Sequence, residues 1–162
     1  YGILRYFNVV GASPSGKIGL INKNDHLFKN FSAESLKKKP VFSIYGKKYE
    51  TPDKTAIRDY IHVSDLADIH IRVLEKILLL KKSIVLNCGY GKGISVLKVA
   101  KEFAKQAKKN IAIVIKNERP GDSKKIITDN KKLLKFIKWK PKYNKLSSMV
   151  KSSLGWERNI AN

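Results

Sequence analysis

The side chains best suited to chemistry lie in three short polar clusters. The first cluster is Tyr6-Phe7-Asn8, where an amide follows a continuous apolar run. An amide at the carboxyl end of a buried strand lies where α/β sheets bind their ligands. Asn8 also suits a turn that leads to Gly11, so this stretch alone leaves a binding role and a turn role equally open.

The second cluster runs from Arg58 to Asp65 and contains one of only five arginines in the chain. A guanidinium after a polar loop can bind a phosphate in a bidentate manner. The alternative is a structural ion pair from Arg58 to Asp59 or Asp65. The neighbouring His62 has no acidic or imidazole partner at metal-ligand spacing, and neither does His70, so we expect satisfied core or surface histidines and no metal site.

The third cluster is Glu118-Arg119-Pro120-Gly121-Asp122, directly after a predicted strand. An arginine can bind an anion here, and an aspartate beside it can accept protons from sugar hydroxyls. An ordinary type II turn is the simpler interpretation. Two arginines in loops beside strands, with Asn8 and Asp122 available for hydroxyls, together point to a nucleoside diphosphate sugar.

Apolar periodicity predicts the elements that position these clusters. Strands buried on both faces alternate with amphipathic helices, which predicts an α/β fold with at least part of its sheet parallel. A long loop over 12–25 follows the first strand. We expect strands over 3–10, 41–45, 84–88 and 111–115, and helices over 27–38, 64–80, 95–109, 131–137 and 146–158.

Composition narrows the functional classes. The chain has 162 residues, 43% of them hydrophobic, and a net charge of +21. The basic residues are 29 lysines and five arginines, which indicates a lysine-rich surface rather than a set of phosphate-binding forks. A lone Cys88 excludes an internal disulfide and fits a reducing cytoplasm. The longest apolar stretch has five residues, so we expect no membrane span. A strand-like run almost at Tyr1 predicts a fragment whose start lies upstream.

Six runs occur in order along the chain: LRYFNVVGA at 4–12, RDYIHVSDLAD at 58–68, LNCGYG at 86–91, SVL at 95–97, RPGD at 119–122 and WER at 156–158. Together they closely resemble the C-terminal half of the UDP-glucose 4-epimerases, which are extended short-chain dehydrogenase/reductase enzymes. The resemblance implies the C-terminal part of an NAD(P)-binding Rossmann-type α/β fold, including its smaller substrate-binding domain. Residues 1–162 would be that substrate-binding portion, and the upstream NAD-binding half would be missing.

The resemblance also implies roles for individual residues. Tyr6 would lie beside the nicotinamide of NAD, the implied cofactor. Arg58 and Arg119 would neutralise the pyrophosphate, and Asp122 would hold the uridine ribose hydroxyls. The other substrate contacts would come from Asn8 to the diphosphate or hexose, from His26 and Leu27 at the start of the substrate-side helix, from Tyr45 against the uracil, and from Tyr60 in the same cleft.

The implied reaction interconverts UDP-glucose and UDP-galactose through hydride transfer to NAD and a 4-keto intermediate, as part of galactose metabolism. The Tyr-x-x-x-Lys pair and the glycine-rich cofactor loop of that family do not occur in this sequence. We therefore assign no catalytic residue and expect the isolated chain to show no turnover. The complete enzyme is expected to be a homodimer. Lys54 departs from the glycine that the family has in an Asp-Gly turn.

Three alternatives remain at this stage. The nearest is another extended short-chain enzyme, such as a UDP-glucuronate or UDP-pentose epimerase or a nucleotide-sugar dehydratase. A basic nucleic-acid-binding module would gather its charge on one face, whereas the lysines here recur on every predicted helix. A non-catalytic remnant is the third. We expect neither nucleic acid nor membrane as a partner.

Overall fold

The computed structural model describes residues 1–22, 26–46 and 48–161 and alternates strands with helices, as the apolar periodicity predicts. The predicted loop over 12–25 includes residues 23–25, which lie outside the described residues. In chain order the elements are β1 (Gly2–Tyr6), β2 (Asn8–Val10), α1 (Leu27–Leu36), β3 (Val41–Tyr45), β4 (Ile57–His62), α2 (Val63–Leu80), β5 (Ile84–Cys88), β6 (Gly93–Ser95), α3 (Val96–Ala107), β7 (Ala112–Lys116), β8 (Lys125–Ile126), α4 (Lys131–Ile137) and α5 (Leu146–Ala161).

The apolar run at 3–10 forms two strands that break at Phe7, so the prediction of one continuous strand is wrong. β1 pairs in parallel with β5, whereas β2 pairs in parallel with β4. Burial on both faces is also wrong for β1, since Ile3 is 46% exposed and Tyr6 is 52% exposed. Apolar side chains become buried only where neighbouring elements cover them. Among the described residues, β1 has a paired neighbour on one edge only.

The strands form short sheets whose pairings are mostly parallel, as predicted. β2, β4 and β6 are adjacent in that order, β8 also pairs with β4, and β3 pairs with β7. The pairing of β4 with β6 is antiparallel, and the others are parallel. The sequence analysis places no strand at β4, because polar Arg58 and Asp59 interrupt its apolar pattern at the start. This missed strand is central to the candidate site.

The helices lie close to their predicted ranges. α3 begins at its predicted cap, where the Ser95 hydroxyl accepts a hydrogen bond from the Lys98 amide at 3.2 Å. α2 begins one residue earlier than expected, because its cap is His62, whose Nδ1 accepts a hydrogen bond from the Ser64 amide at 3.1 Å. No helix within the described ranges has the length and apolarity to cross a membrane.

Four phenylalanines form the densest part of the core and fix α1 and α3 against β3. Phe31 stacks on Phe42 with ring centroids 4.2 Å apart, and Phe103 meets Phe28 edge to face at 5.2 Å. Each of these rings is at most 2% exposed. Aromatic pairs in these geometries contribute about 0.5–1.5 kcal/mol beyond their buried area. The cluster therefore gives the cleft described below a rigid wall.

Candidate functional site

One cleft of about 420 Å³ brings together all eight residues that the sequence analysis assigns to substrate. They come from β2, α1, β3, β4 and the loop between β7 and β8, so the fold gathers residues as far apart as positions 8 and 122. Their roles toward a ligand stay predictions. The eight residues are Asn8, His26, Leu27, Tyr45, Arg58, Tyr60, Arg119 and Asp122.

Strand alternation explains which side chains reach the cleft. On β3 the odd positions, including Ser43 and Tyr45, line the cleft, and the even positions Phe42 and Ile44 are fully buried in the core. β4 alternates in the same way: Arg58 and Tyr60 line the cleft, and the intervening Asp59 does not. A one-residue shift of either strand would replace the polar lining with core residues.

α1 contributes a face that the sequence analysis found only in part. Leu27 lines the cleft as predicted, and Asn30, Phe31 and Glu34 lie beside it. Residues three and four apart share one side of a helix, so the spacing from Leu27 was the signal that identifies them. Val41, Ser43, Ala56 and Val96 also line the cleft without having been assigned.

Arg58 forms an ion pair with Asp122 across the cleft. Its Nη2 lies 2.5 Å from Asp122 Oδ1, and its Nη1 donates to the carbonyl of Ile57 at 2.9 Å. The side chain of Arg58 is 12% exposed and that of Asp122 is 34% exposed. The sequence analysis offered Asp59 or Asp65 as ion-pair partners, and that prediction is wrong, because both carboxylates are bound elsewhere by other donors.

Arg119 and Asp122 are the first and last residues of a tight turn, and both line the cleft. The segment is therefore an ordinary turn and also part of the candidate site. The Asp122 amide donates to the Arg119 carbonyl at 3.1 Å, and Gly121 has a φ of 78°, as the third residue of a type II turn requires. The Arg119 guanidinium carbon lies 3.9 Å from the centre of the Tyr45 ring. This cation–π contact places the second arginine of the cleft above an aromatic face.

Two buried polar atoms in the cleft lack a hydrogen-bond partner among the described residues. The first is the hydroxyl of Tyr60, a residue only 2% exposed. Burial raises its pKa, with Arg58 opposing, so the hydroxyl stays neutral and can donate. The second is Nδ1 of His26, whose Nε2 donates to the Val9 carbonyl at 2.7 Å. Burial lowers the His26 pKa, which leaves Nδ1 as an acceptor.

Asn8 is the first residue of β2, so the prediction that it lies at the end of a longer strand is wrong. The alternative role in a turn is also wrong, because Asn8 lies within a strand. Its Nδ2 donates to the Asp59 carbonyl at 3.0 Å. That bond orients the amide and leaves Oδ1 to accept from a ligand.

Tyr6, the predicted cofactor contact, does not line the cleft. Its hydroxyl lies 2.7 Å from Nε2 of His70, whose Nδ1 lies 2.8 Å from the Leu66 carbonyl. A carbonyl only accepts, so Nδ1 of His70 carries a proton and donates to Leu66. A cofactor role for Tyr6 stays a prediction.

Two buried carboxylates hold the backbone behind the cleft. Asp59 accepts from the amides of Tyr90, Gly91 and Thr128 at 2.8–3.2 Å. A Cβ added at Gly89 would stand 2.0 Å from the Thr128 hydroxyl and 2.9 Å from the Asp59 carboxylate, so only glycine fits there. We call this arrangement the Asp59 clamp.

The second buried carboxylate, Asp65, accepts from the Tyr90 hydroxyl and from the amides of Lys142 and Tyr143. It thereby joins the start of α2 to the segment that precedes α5. Asp59 and Asp65 are at most 1% exposed. Charge-assisted bonds of this kind are about twice as strong as neutral ones.

His62 and Ser152 resemble part of a nucleophilic triad, but their hydrogen bonds exclude one. Nδ1 of His62 accepts from an amide, so Nε2 carries the proton and donates to the Ser152 hydroxyl at 3.0 Å. A general base needs the opposite arrangement. His62 is fully buried, as the sequence analysis expects of a structural histidine.

A second cavity of about 740 Å³ lies next to the cleft, and His26 lines both. Its walls are mainly apolar, and its buried cation, Lys29, is paired with Glu157 at 2.7 Å. The smaller polar cleft suits a pyrophosphate better, because Arg119 takes no part in the ion pairs of the described residues and the Tyr60 hydroxyl has no partner among them. In the described ranges no three His, Cys, Asp or Glu side chains gather closely enough to hold a metal ion.

Residues 1–89 match the family model described as the NAD dependent epimerase/dehydratase family, which is more than half of the chain. The chain belongs to this family. It is 39% identical over 159 residues to a UDP-glucose 4-epimerase from Azospirillum brasilense and 39% identical over 160 residues to UDP-glucose 4-epimerase 2 from Arabidopsis thaliana. These matches cover 98% and 97% of this chain but 46% and 45% of the relatives.

Solved structures agree with the sequence relatives. A UDP-glucose 4-epimerase from Stenotrophomonas maltophila, solved with NAD and a formylated UDP-arabinopyranose, superposes with a TM-score of 0.93 at 32% identity. The enzyme from Bifidobacterium longum, solved with NAD+ and UDP, superposes with a TM-score of 0.87 at 38% identity. Each match covers 99% of this chain and 48% of the solved chain. The α/β fold class is confirmed, and the chain spans about half the length of its relatives.

Proposed function

We propose that this chain forms the substrate-binding portion of an NAD-dependent UDP-glucose 4-epimerase, which interconverts UDP-glucose and UDP-galactose. One observation carries the proposal. Eight residues, chosen from the sequence for a UDP-sugar, lie around a single cleft although they come from five separate segments. The cleft also suits the ligand chemically, because it combines cations, a carboxylate, a neutral phenol and an aromatic face.

Each part of a UDP-sugar has a matching group. Arg58 and Arg119 would bind the pyrophosphate, and Asp122 would accept the ribose hydroxyl protons. The unpartnered Tyr60 hydroxyl would donate to a ligand oxygen, since a buried polar atom costs free energy until it is paired. Uracil would stack on Tyr45. Arg119 lies over that ring at 3.9 Å from its centre and Lys116 at 5.6 Å, so the base would share the ring with these cations or displace one of them.

NAD is the proposed cofactor, and it would accept and return the hydride at the hexose. Tyr6 fits a contact with its nicotinamide, because the ring is 52% exposed at the end of β1 and its hydroxyl is fixed by His70. The sequence holds neither the glycine-rich loop nor the Tyr-x-x-x-Lys pair of the family. We propose that a separate NAD-binding half supplies both and that the complete enzyme is a homodimer.

One edge of β1 has no partner strand among the described residues, and the chain covers about half of each relative; both observations support that division. A cytoplasmic location is also part of the proposal. It is supported by Cys88, a free and buried cysteine, because unpaired cysteines are typical of reducing compartments.

Calorimetric titration of the chain with UDP tests the proposal. We expect binding, and we expect Arg58→Gln to weaken it about tenfold, because a charge-assisted bond to phosphate is lost. Arg72→Gln is the matched control, since Arg72 pairs with Asp68 on α2 and does not line the cleft. UDP affinity that is unchanged in Arg58→Gln, or reduced equally in both variants, would contradict the proposal.

A further inference from the structure

We infer that His70 is a positioning residue, which holds the Tyr6 ring in one direction and leaves the Tyr6 oxygen free to accept a hydrogen bond from a ligand. The inference rests on the proposed function, in which Tyr6 contacts the nicotinamide of NAD. It adds a residue that does not line the cleft, and it names the ligand group that Tyr6 would meet as an N–H donor.

α2 crosses β1 and presents one line of side chains to it. At the start of the strand, a Cβ added at Gly2 would stand 3.3 Å from Cγ1 of Val73 and 3.7 Å from Cδ1 of Ile77. At the end of the strand, Tyr6 meets His70. The three helical residues are three and four positions apart, so they share one side of α2. Four steps along the strand cover about 13 Å and seven steps along the helix about 10 Å, so the helix places position 70 opposite the end of β1.

Packing alone does not account for a histidine at the end of this line. Val73 is 2% exposed and belongs to the core, and the partly buried Ile77 packs against that core. An apolar side chain at position 70 would extend the same contact. Tyr6 is 52% exposed, so water could satisfy its hydroxyl without His70. The bond between the two side chains costs conformational entropy and fixes a direction, which is what a positioning residue supplies.

Two contacts hold the Tyr6 side chain against His70. The hydroxyl lies 2.7 Å from Nε2, and the two ring centres lie 5.4 Å apart at an angle of 58°. The imidazole is itself held, because Nδ1 donates at 2.8 Å to the carbonyl of Leu66, one turn earlier in α2. Tyr6 pairs with Cys88 at the carboxyl ends of two parallel strands, the edge at which α/β sheets bind ligands. The ring is therefore preorganised at a binding edge.

The bond to Leu66 also sets the direction of the bond to Tyr6. A neutral imidazole carries one proton, and in His70 that proton lies on Nδ1, which donates it to the Leu66 carbonyl. Nε2 of the neutral ring is then bare and only accepts, so Tyr6 donates its hydroxyl proton to His70. The Tyr6 oxygen keeps its lone pairs for a ligand, which must bring the donor. The carboxamide N–H₂ of a nicotinamide is such a donor.

NMR of the full isotope-labelled chain at pH 8 tests both parts of the inference without a cofactor. The ¹⁵N shifts of the neutral His70 ring should show its proton on Nδ1. Three-bond couplings of Tyr6 should show one preferred χ1 rotamer. Tyr1, which is 78% exposed, is the reference for an exposed tyrosine in the same spectra.

Two variants separate the hydrogen bond from the shape of the ring. His70→Phe keeps an aromatic ring without a polar atom, so we expect the ratio of the preferred Tyr6 rotamer to the others to fall about threefold. His70→Gln carries an amide oxygen that can accept from Tyr6, so it should restore most of that ratio. Rescue by glutamine distinguishes a positioning bond from packing, which phenylalanine preserves better.

A fall in His70→Phe that His70→Gln rescues, together with a proton on Nδ1, supports the inference. Unchanged Tyr6 couplings in His70→Phe, a fall that glutamine does not rescue, or a neutral ring with its proton on Nε2 would each overturn it.

Titration of the same variants with UDP keeps the two proposals apart. Neither His70 nor Tyr6 lines the cleft, so UDP affinity should change by less than about twofold. If the unmodified chain binds UDP but the NMR result is negative, only the inference is wrong. If the unmodified chain binds no UDP, the proposed function fails, and the role of His70 towards a cofactor fails with it.

Discussion

Arg58 and Asp59 are adjacent on β4, yet they belong to two regions that hold charge in different ways. Arg58 faces the cleft and has one carboxylate partner, Asp122, that is 34% exposed. Asp59 is fully buried in its clamp and is bound by three backbone amides. The cleft can exchange partners with a ligand, whereas the clamp cannot lose one without leaving buried donors unpaired. The chain thus builds a rigid frame and an adjustable site from consecutive residues.

The same substitution in both regions should give the largest contrast. Asp59→Asn replaces an acceptor of three amides with a group that brings its own N–H donors. We expect the free energy of unfolding to fall by about 2–4 kcal/mol, since each unpaired buried donor costs about 1–3 kcal/mol. Asp122→Asn should cost less than about 1 kcal/mol, as exposed ion pairs do. Urea denaturation of both variants measures the two losses of free energy of unfolding. Equal losses would contradict the distinction between a rigid clamp and an adjustable cleft.

The residues of the cleft could be predicted from the sequence, whereas those of the Asp59 clamp could not. The cleft residues stood out because arginine is scarce here and because the RPGD turn and the RDYIHV run are informative in themselves. The Asp59 clamp could not be recognised in the sequence, since a carboxylate bound by amides from distant segments leaves no local pattern. Asp59 binds residues at positions 90, 91 and 128, and only the tertiary fold brings those amides together.

Most elements were predicted to within a few residues, because helices such as α3 present one apolar face. Two failures have a physical reason. β4 was missed because its polar residues serve the site and the clamp, which breaks the apolar pattern of a strand. The run at 3–10 predicts one strand, because composition alone does not reveal that the pairing with β5 ends before Phe7.

Acid should lower the stability of the fold through two histidines, His26 and His62, whose pKa values are lowered by burial. Burial lowers the pKa of His62, against the opposing charge of Asp65, and burial also lowers the pKa of His26. Between the lowered pKa and the ordinary value of 6.5, the unfolded chain binds a proton that the folded chain does not. The free energy of unfolding therefore falls as the pH falls below 6.5 and is fully retained above it.

His62→Asn isolates the contribution of one histidine. Asparagine can still accept from the Ser64 amide as a helix cap, but it does not titrate. Urea denaturation at pH 7.5 and pH 5.5 should show a smaller loss of stability in His62→Asn than in the unmodified chain. An equal loss in both proteins would show that His62 plays no part in the acid response.

The smallest predicted effect concerns the turn that leads into β4. Lys54 has a φ of 61°, a conformation that favours glycine, and the sequence resemblance places glycine at this position. We expect Lys54→Gly to raise the free energy of unfolding by about 0.5–1 kcal/mol. Lys105→Gly, inside α3, should lower it by about 1 kcal/mol. Destabilisation by Lys54→Gly would contradict the strain assigned to this turn.

The most direct test of the central claim is to map where UDP binds. Backbone amide shifts of the isotope-labelled chain, followed by NMR during titration with UDP, would report the site residue by residue. The account predicts the largest changes at Leu27, Tyr60 and Asp122 in the cleft, with small changes at the Asp59 clamp. Changes centred instead on Val63, Ile71 and Trp156, in the larger apolar cavity, would contradict it.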